Sequence, residues 1–195
     1  GPSVMAGFSQ YKSFDEKYQK YLNDYLFEKQ DRLELPAFSN YSDGYLPWGN
    51  KENTGKLHTL KVNDGLHFIN GSGKCNGKLF GGCIEVLEML KGTDFWPDKE
   101  FWNNKILFLE TSEDKPSLDY VKFWLRNYGV MGIFDRISGL FFGRSRDYSF
   151  DEKKQLEMTL SSVIKDEFGN LHLPIVCNMD FGHTDPQLIL PLGIE

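Results

Sequence analysis

The sequence predicts an α/β domain on a mixed, partly parallel sheet, with a helical arm at its N-terminal end. Three observations predict it. Lys105–Glu110 (KILFLE) is an apolar run of the length of one buried strand. Two more apolar runs, over 137–143 and 173–177, have the same character. Helical periodicities over 116–127 and 150–165 separate the three, and strands that alternate with helices pair in parallel. In such sheets chemistry collects at the carboxyl ends of the strands.

The elements follow in order. Residues 1–12 read as an incoming loop. Over 14–30, Phe14, Tyr18, Tyr21, Leu22 and Tyr25 recur at three- and four-residue spacing, which predicts a helix. Ser13 with Glu16 has the pattern of a capping box. The aromatic face reads as packing. Residues 31–53 lose periodicity and form a long loop, a kind of segment that often carries function. Trp48, in this loop, is placed to stack on a flat ligand group or to anchor the loop. Residues 57–62 alternate with period two, Asn63-Asp64-Gly65 turns, and 66–69 return, which predicts a hairpin with His58 and His67 facing solvent. Gly71 to Gly82 holds five glycines but lacks the G-x-x-x-x-G-K-[ST] spacing, so a phosphate-binding loop is rejected. Gly81 and Gly82 lead into a short helix over 83–92, where free backbone N–H groups suit a carboxylate. After 105–110 come polar residues 111–114 and a helix that Pro116 suits at its first turn.

Composition bounds the function. The 195 residues, 40% hydrophobic and 15% aromatic, suffice for one core or one domain with an arm. A net charge of -6 with no basic stripe excludes non-specific nucleic-acid binding. No apolar run is long enough to span a membrane, and no secretory signal is visible. The chain opens Gly-Pro-Ser-Val-Met and reads as a fragment or a processed piece. Three cysteines, Cys75, Cys83 and Cys177, form no C-x-x-C pair and read as free thiols of a reducing, cytoplasmic compartment. The four histidines lack metal-ligand spacing, so neither metal nor cofactor is expected.

The chemistry centres on Phe181-Gly182-His183-Thr184-Asp185-Pro186, a tight loop that presents an imidazole just after an apolar run. Glu110 ends another strand. A carboxylate on Nδ1 fixes the tautomer of an imidazole and stabilises the imidazolium formed when it takes a proton. Glu110 with His183 therefore forms the candidate base half of a Ser-acid-His triad, and the order acid then His fits triads that run Ser, acid, His. Other residues carry two readings each. Glu85 meets a substrate ammonium or sits as a first-turn helix acid. Asp185 makes an Asx turn that holds the His183 loop. Arg144 and Arg146 read as an exposed loop pair, with a substrate carboxylate as the alternative. Trp96, Trp102 and Cys83 read as packing residues. Ser9 is a weak candidate nucleophile because no apolar strand precedes it and no Asp follows; Ser112 and Ser145 have less support.

Several stretches together resemble the LD-carboxypeptidase family of serine peptidases. They are Gly1 to Phe8 (GPSVMAGF), Gly81 to Leu87 (GGCIEVL), 106–110 (ILFLE), Gly139–Gly143 (GLFFG), Phe181 to Thr184 (FGHT) and the closing Leu190-Pro191-Leu192-Gly193. The loop around Trp48 and the Gly-Gly-Cys-Ile-Glu form of the glycine motif are similar to the microcin C immunity-type branch. The resemblance implies a swivelling β/β/α-type domain, residues 56–195, that carries the Glu and His of the triad on Glu110 and His183. Residues 1–55 are then an arm, helix and loop from the domain junction. It implies that the nucleophilic Ser and its oxyanion hole lie upstream, in an N-terminal nucleophile domain of the same parent protein. The chain alone is then inactive, and a homodimer is one admissible assembly. The implied substrate has an amide near a free carboxylate: the L,D bond of a muropeptide in peptidoglycan recycling, or a microcin C-like aminoacyl nucleotide that meets Trp48, Glu85, Gly81 and Gly82. The alternative is a non-catalytic binding or regulatory domain of the same fold.

Overall fold

The structure, a computed structural model, describes residues 8–29, 31–47 and 49–194. Its strands are β1 (Asn40–Tyr41), β2 (Lys61–Val62), β3 (His67–Asn70), β4 (Lys78–Cys83), β5 (Lys105–Glu110), β6 (Gly139–Gly143) and β7 (Ile175–Met179). Its α-helices are α1 (Glu16–Phe27), α2 (Ile84–Glu88), α3 (Leu118–Val130) and α4 (Phe150–Ser161), and a π-helical turn, Ser162–Glu167, continues α4. The main sheet runs β3-β7-β6-β5-β4. Strands β4 to β7 are mutually parallel and β3 is antiparallel to β7, so the sheet is mixed and partly parallel as predicted.

Alternation along the strands divides the core. Leu107 and Leu109 of β5, Leu140 and Phe142 of β6, and Ile175 and Cys177 of β7 face the helices. They pack with Val121, Leu125 and Tyr128 of α3, spaced four and three residues apart, and with Leu156 and Leu160 of α4. Each fully buried leucine contributes about 1.5–3 kcal/mol. Phe108, Val176, Met179 and Phe181 form a second cluster with Phe141 and Leu79, which places it on the other face. Trp102 is buried among Phe80, Phe101 and Tyr128, the packing role its sequence suggests, and Trp96 adjoins it.

The N-terminal helix and the C-terminal stretch share a separate cluster. Phe14, Tyr18, Tyr21 and Leu22 pack on Phe38 and Leu188, and Tyr21 Oη donates to the Ile189 carbonyl at 3.0 Å. The α1 aromatics thus pack against the C-terminal stretch. Asp15, not Ser13, caps α1: its carboxylate accepts from the Tyr18 N–H at 3.2 Å. Phe8–Ser13 is a 3₁₀ helix, which leaves Asp15 at the N-cap and Glu16 inside the first turn instead of at its third position. A capping box does occur, at Ser149 and Glu152 of α4.

The hairpin over 57–69 is not formed. β2 pairs with β1, and β3 adds to the edge of the main sheet beside β7, with His67 opposite Cys177. Gly65 turns the chain as its Asp-Gly pair predicts, with φ 93°. The unpaired edge of a buried strand outcompetes a local two-stranded ribbon because β3 gains packing as well as hydrogen bonds. His67 is accordingly not a free surface residue: its Nδ1 lies 2.6 Å from Glu157 and its Nε2 3.2 Å from Asp64. His58 Nδ1 is buried without a hydrogen-bond partner, and its ring meets Tyr45. Among the described residues no helix is long and apolar enough to cross a membrane.

Candidate active site

Three strand ends build the site. β4 delivers Gly81, Gly82 and Cys83, and Cys83 pairs with Glu110 at the end of the parallel neighbour β5. His183 follows β7, yet β6 lies between β7 and β5. The chain after Met179 therefore has to pass the end of β6 to reach Glu110. Gly143, the last residue of β6, permits this: a Cβ there would lie 2.5 Å from the Phe181 carbonyl oxygen. Gly182, at φ 106°, lets the loop settle on the carboxylate, since a Cβ there would stand 3.0 Å from Glu110 Oε2.

The result is a hydrogen bond of 2.7 Å between His183 Nδ1 and Glu110 Oε2. Glu110 is 8% exposed, whereas the His183 side chain is 31% exposed, so the carboxylate is held inside and the ring reaches outward. His183 Nε2 lies 3.0 Å from Glu113 Oε2. The hydrogen bond that His183 donates to Glu110 raises the His183 pKa above its ordinary value; burial opposes this, and the charges of Glu110, Glu113 and Glu85 add to the rise. With Nδ1 held by a carboxylate, the neutral ring carries its proton there and offers Nε2 as a base.

The pair opens on a cavity of about 520 Å³ lined by Gly81, Gly82, Phe108, Phe181 and Gly182, with Leu188 to Leu190 on one side. Gly81 belongs to β4 itself and approaches β5 so closely that a Cβ would meet the Phe108 carbonyl oxygen at 1.7 Å. Tyr45 also lines the cavity, and the Arg146 guanidinium lies 4.3 Å from its ring centre. Sequence reasoning missed Tyr45, although it stands three residues from Trp48 in the same loop. Trp48 itself lies outside the described residues.

The remaining candidates take other places. Glu85 is not among the residues that line the cavity. Its Oε1 accepts from the Ser112 N–H at 2.8 Å and braces the loop after β5, while its Oε2 is buried without a partner. Burial pushes the Glu85 carboxyl up, but hydrogen bonds from Ser112 and Cys83 leave it below the usual range. Burial, then Glu85 and Glu110, push the Cys83 thiol far up, which opposes a nucleophilic thiolate. Arg144 is not an exposed loop residue. It is 1% exposed and donates to Asp180 Oδ1 at 2.6 Å and to Asn178 Oδ1 at 3.0 Å. Asp185 holds the His183 loop through its backbone, not an Asx turn: Ser42 N donates to its carbonyl at 2.7 Å and its own N–H returns to Ser42 O at 2.8 Å. Its Oδ1 is buried without a partner. Ser9 falls in the Phe8–Ser13 turn; its side chain is outside the described residues. Among the described residues no group of His, Cys, Asp and Glu is placed to hold a metal ion.

Comparison with known proteins places this geometry in context. A family model described as the LD-carboxypeptidase C-terminal domain matches residues 76–195. The microcin C7 self-immunity protein MccF of Escherichia coli is 25% identical over all of this chain, which covers 54% of that protein. A structure of MccF with aspartyl sulfamoyl adenosine superposes with a TM-score of 0.77 at 25% identity, over 99% of this chain and 55% of the other. An MccF-like protein from Streptococcus pneumoniae, in complex with AMP, gives 0.76 at 26% identity, over 91% of this chain and 53% of the other. The chain spans about half the length of these relatives.

Proposed function

The chain belongs to the LD-carboxypeptidase family through its C-terminal domain, and on that premise we propose that it is the histidine- and glutamate-bearing half of a serine carboxypeptidase or amidase. The observation that carries the proposal is the 2.7 Å contact of His183 Nδ1 with Glu110 at the mouth of a cavity. In the proposed mechanism a serine supplied from a segment outside these 195 residues attacks an amide carbonyl near a free carboxylate. His183 Nε2 takes the serine proton and returns it to the leaving amine, then takes a proton from the water that attacks the acyl-serine ester and returns it to the serine, while Glu110 holds the ring and stabilises its charged form. Gly81 and Gly82 bring backbone, without side chains, to the substrate.

Two substrate classes suit this chemistry, the L,D bond of a muropeptide and an aminoacyl nucleotide. The Tyr45 ring, which lines the cavity, favours a flat group and hence the base of a nucleotide. So do the ligands named with the MccF structures. Trp48 is the further stacking residue proposed for that group. Three free cysteines support a reducing, cytoplasmic setting.

A second reading rests on Glu113. Its carboxylate occupies His183 Nε2, the nitrogen a nucleophile would use, as a binding or regulatory domain permits. Turnover decides between them. The full-length polypeptide, and separately the 195-residue chain, are incubated with aspartyl sulfamoyl adenosine and with a muropeptide tetrapeptide. The proposal expects hydrolysis by the full-length protein only, lost in His183→Ala and in Glu110→Ala. Turnover by the chain alone overturns the external serine, and a folded, inactive full-length protein favours the regulatory reading.

A further inference from the structure

β4 is the last strand of the main sheet, so one of its edges has no strand beside it. Leu79 turns its main chain to that edge: it donates to the Ile194 carbonyl at 3.3 Å and accepts from the Gly193 N–H at 2.9 Å. Residues two apart in a strand point their N–H and C=O the same way, so Gly81 presents both to the same edge. Nothing among the described residues pairs with Gly81 there. Pro191, two residues before Gly193, has no N–H to prolong the pairing, and its neighbours Leu190 and Leu192 line the His183 cavity together with Gly81. Gly81 is partly exposed. The free edge therefore opens into the cavity, and a glycine at that point lets another backbone come close.

Gln187 lines the same cavity and is 9% exposed. Its amide makes no hydrogen bond among the described residues, and neither amide atom is sealed from solvent. Main-chain bonds hold it on both sides, through Asp185 with Ser42 and through the Leu188 N–H, which donates to the Asp180 carbonyl at 2.7 Å. No lysine or arginine is among the lining residues. Beside the His183–Glu110 pair the cavity thus offers neutral donor–acceptor pairs, which match a main chain better than a phosphate or a carboxylate. We propose that the acyl segment of the substrate binds here in extended form, as a short strand added to the edge of β4. The Gly81 carbonyl accepts from a main-chain nitrogen of that segment, the Gly81 N–H donates to one of its carbonyls, and the Gln187 amide takes a further polar group of the same main chain. Both substrate classes carry a donor nitrogen and a carbonyl in that segment. Its naming as the acyl segment rests on the peptidase reading; the pairing itself does not.

NMR titration of the 195-residue chain with a muropeptide tetrapeptide, and separately with aspartyl sulfamoyl adenosine, tests this. One of them is expected to bind with a Kd on the order of 1 mM or tighter and to slow hydrogen exchange of the Gly81 amide by about tenfold or more at saturation; which one does so identifies the source of the main chain. Gln187→Leu, with the fold checked by circular dichroism, should weaken that ligand about three- to tenfold. If the ligand is the tetrapeptide, methylation of one of its amide nitrogens should cost about tenfold in affinity, since the methyl group removes the donor and blocks the edge. The proposal is overturned if neither ligand slows Gly81 exchange, if folded Gln187→Leu keeps the wild-type affinity, or if a bound tetrapeptide tolerates methylation at every amide. Turnover by the full-length polypeptide separates this from the peptidase reading: hydrolysis without Gly81 protection removes the strand pairing alone, and Gly81 protection without hydrolysis removes the peptidase reading alone.

Discussion

Glu110 and His183 stand 73 residues apart in the chain and 2.7 Å apart in space. The contact holds the imidazolium form of His183, because its partner is a carboxylate and lies deeper than the ring. His183 should therefore titrate above its ordinary value of about 6.5. Followed by the ring-nitrogen shifts in NMR, Glu110→Gln should bring that titration down toward the ordinary value. The stability consequence follows from linkage. A group whose folded pKa is raised contributes stability that is fully present below the unfolded value and is lost as pH rises through the folded value. The Tm difference between wild type and His183→Gln should shrink across that window; a difference constant with pH would mean that the ring is neutral throughout.

Glu113 acts on the other nitrogen. At 3.0 Å from Nε2 it adds to the rise in the His183 pKa, by a smaller effect than Glu110. A general base works in its neutral form, so the acid limb of kcat/KM should follow the His183 titration. On the proposed function, Glu113→Gln in the full-length polypeptide should move that limb to lower pH, with kcat at its plateau changed less than about threefold. Loss of plateau activity by orders of magnitude would instead make Glu113 the carboxylate that orients the ring.

Gly81 tests the fit of β4 on β5. A methyl group there would stand 1.7 Å from the Phe108 carbonyl oxygen, within the sheet's own hydrogen-bonded register. Backbone cannot yield as a side chain tip does, so Gly81→Ala should cost about 3 kcal/mol in urea unfolding. Gly44→Ala, with nothing within 4 Å of the added carbon, is the control and should stay within about 0.5 kcal/mol.

These residues also show what was legible in the sequence. β5 was legible to the residue, because four consecutive apolar residues, Ile106 to Leu109, bounded by Lys105 and Glu110, have few alternatives. The pairing of Glu110 with His183 was legible as two strand ends, since parallel strands bring their carboxyl ends to one edge. That the loop after β7 passes the end of β6 was not, because it depends on an absent Cβ at Gly143 meeting the distant Phe181. The hairpin over 57–69 failed for the opposite reason: its alternation was real, but the open edge of β7 offered a better partner than the chain nearby. Arg144 gave no signal of burial, since an arginine is buried only where a carboxylate such as Asp180, 36 residues on, meets it.

That buried pair supports the last prediction. The side chains of Arg144 and Asp180 are 0% and 2% exposed, and Asp180 also accepts from the Phe38 N–H at 3.2 Å, which ties the arm to the His183 loop. Burial raises the Asp180 carboxyl, and Arg144 holds it down. Arg144→Met removes the counter-charge and leaves a buried carboxylate, at a cost of about 3–5 kcal/mol. The folded pKa of Asp180 then rises further. For an acid with a raised folded pKa the cost is absent below the unfolded value and grows as pH rises through the folded one. Urea midpoints should therefore show the variant close to wild type near about pH 4 and much weaker near about pH 7. Asp180→Asn in the Arg144→Met background removes the stranded charge and keeps an acceptor for Phe38, and it should restore most of the loss at about pH 7. A loss equal at both pH values, or unrelieved in the double variant, would mean that Arg144 stabilises through packing instead of charge.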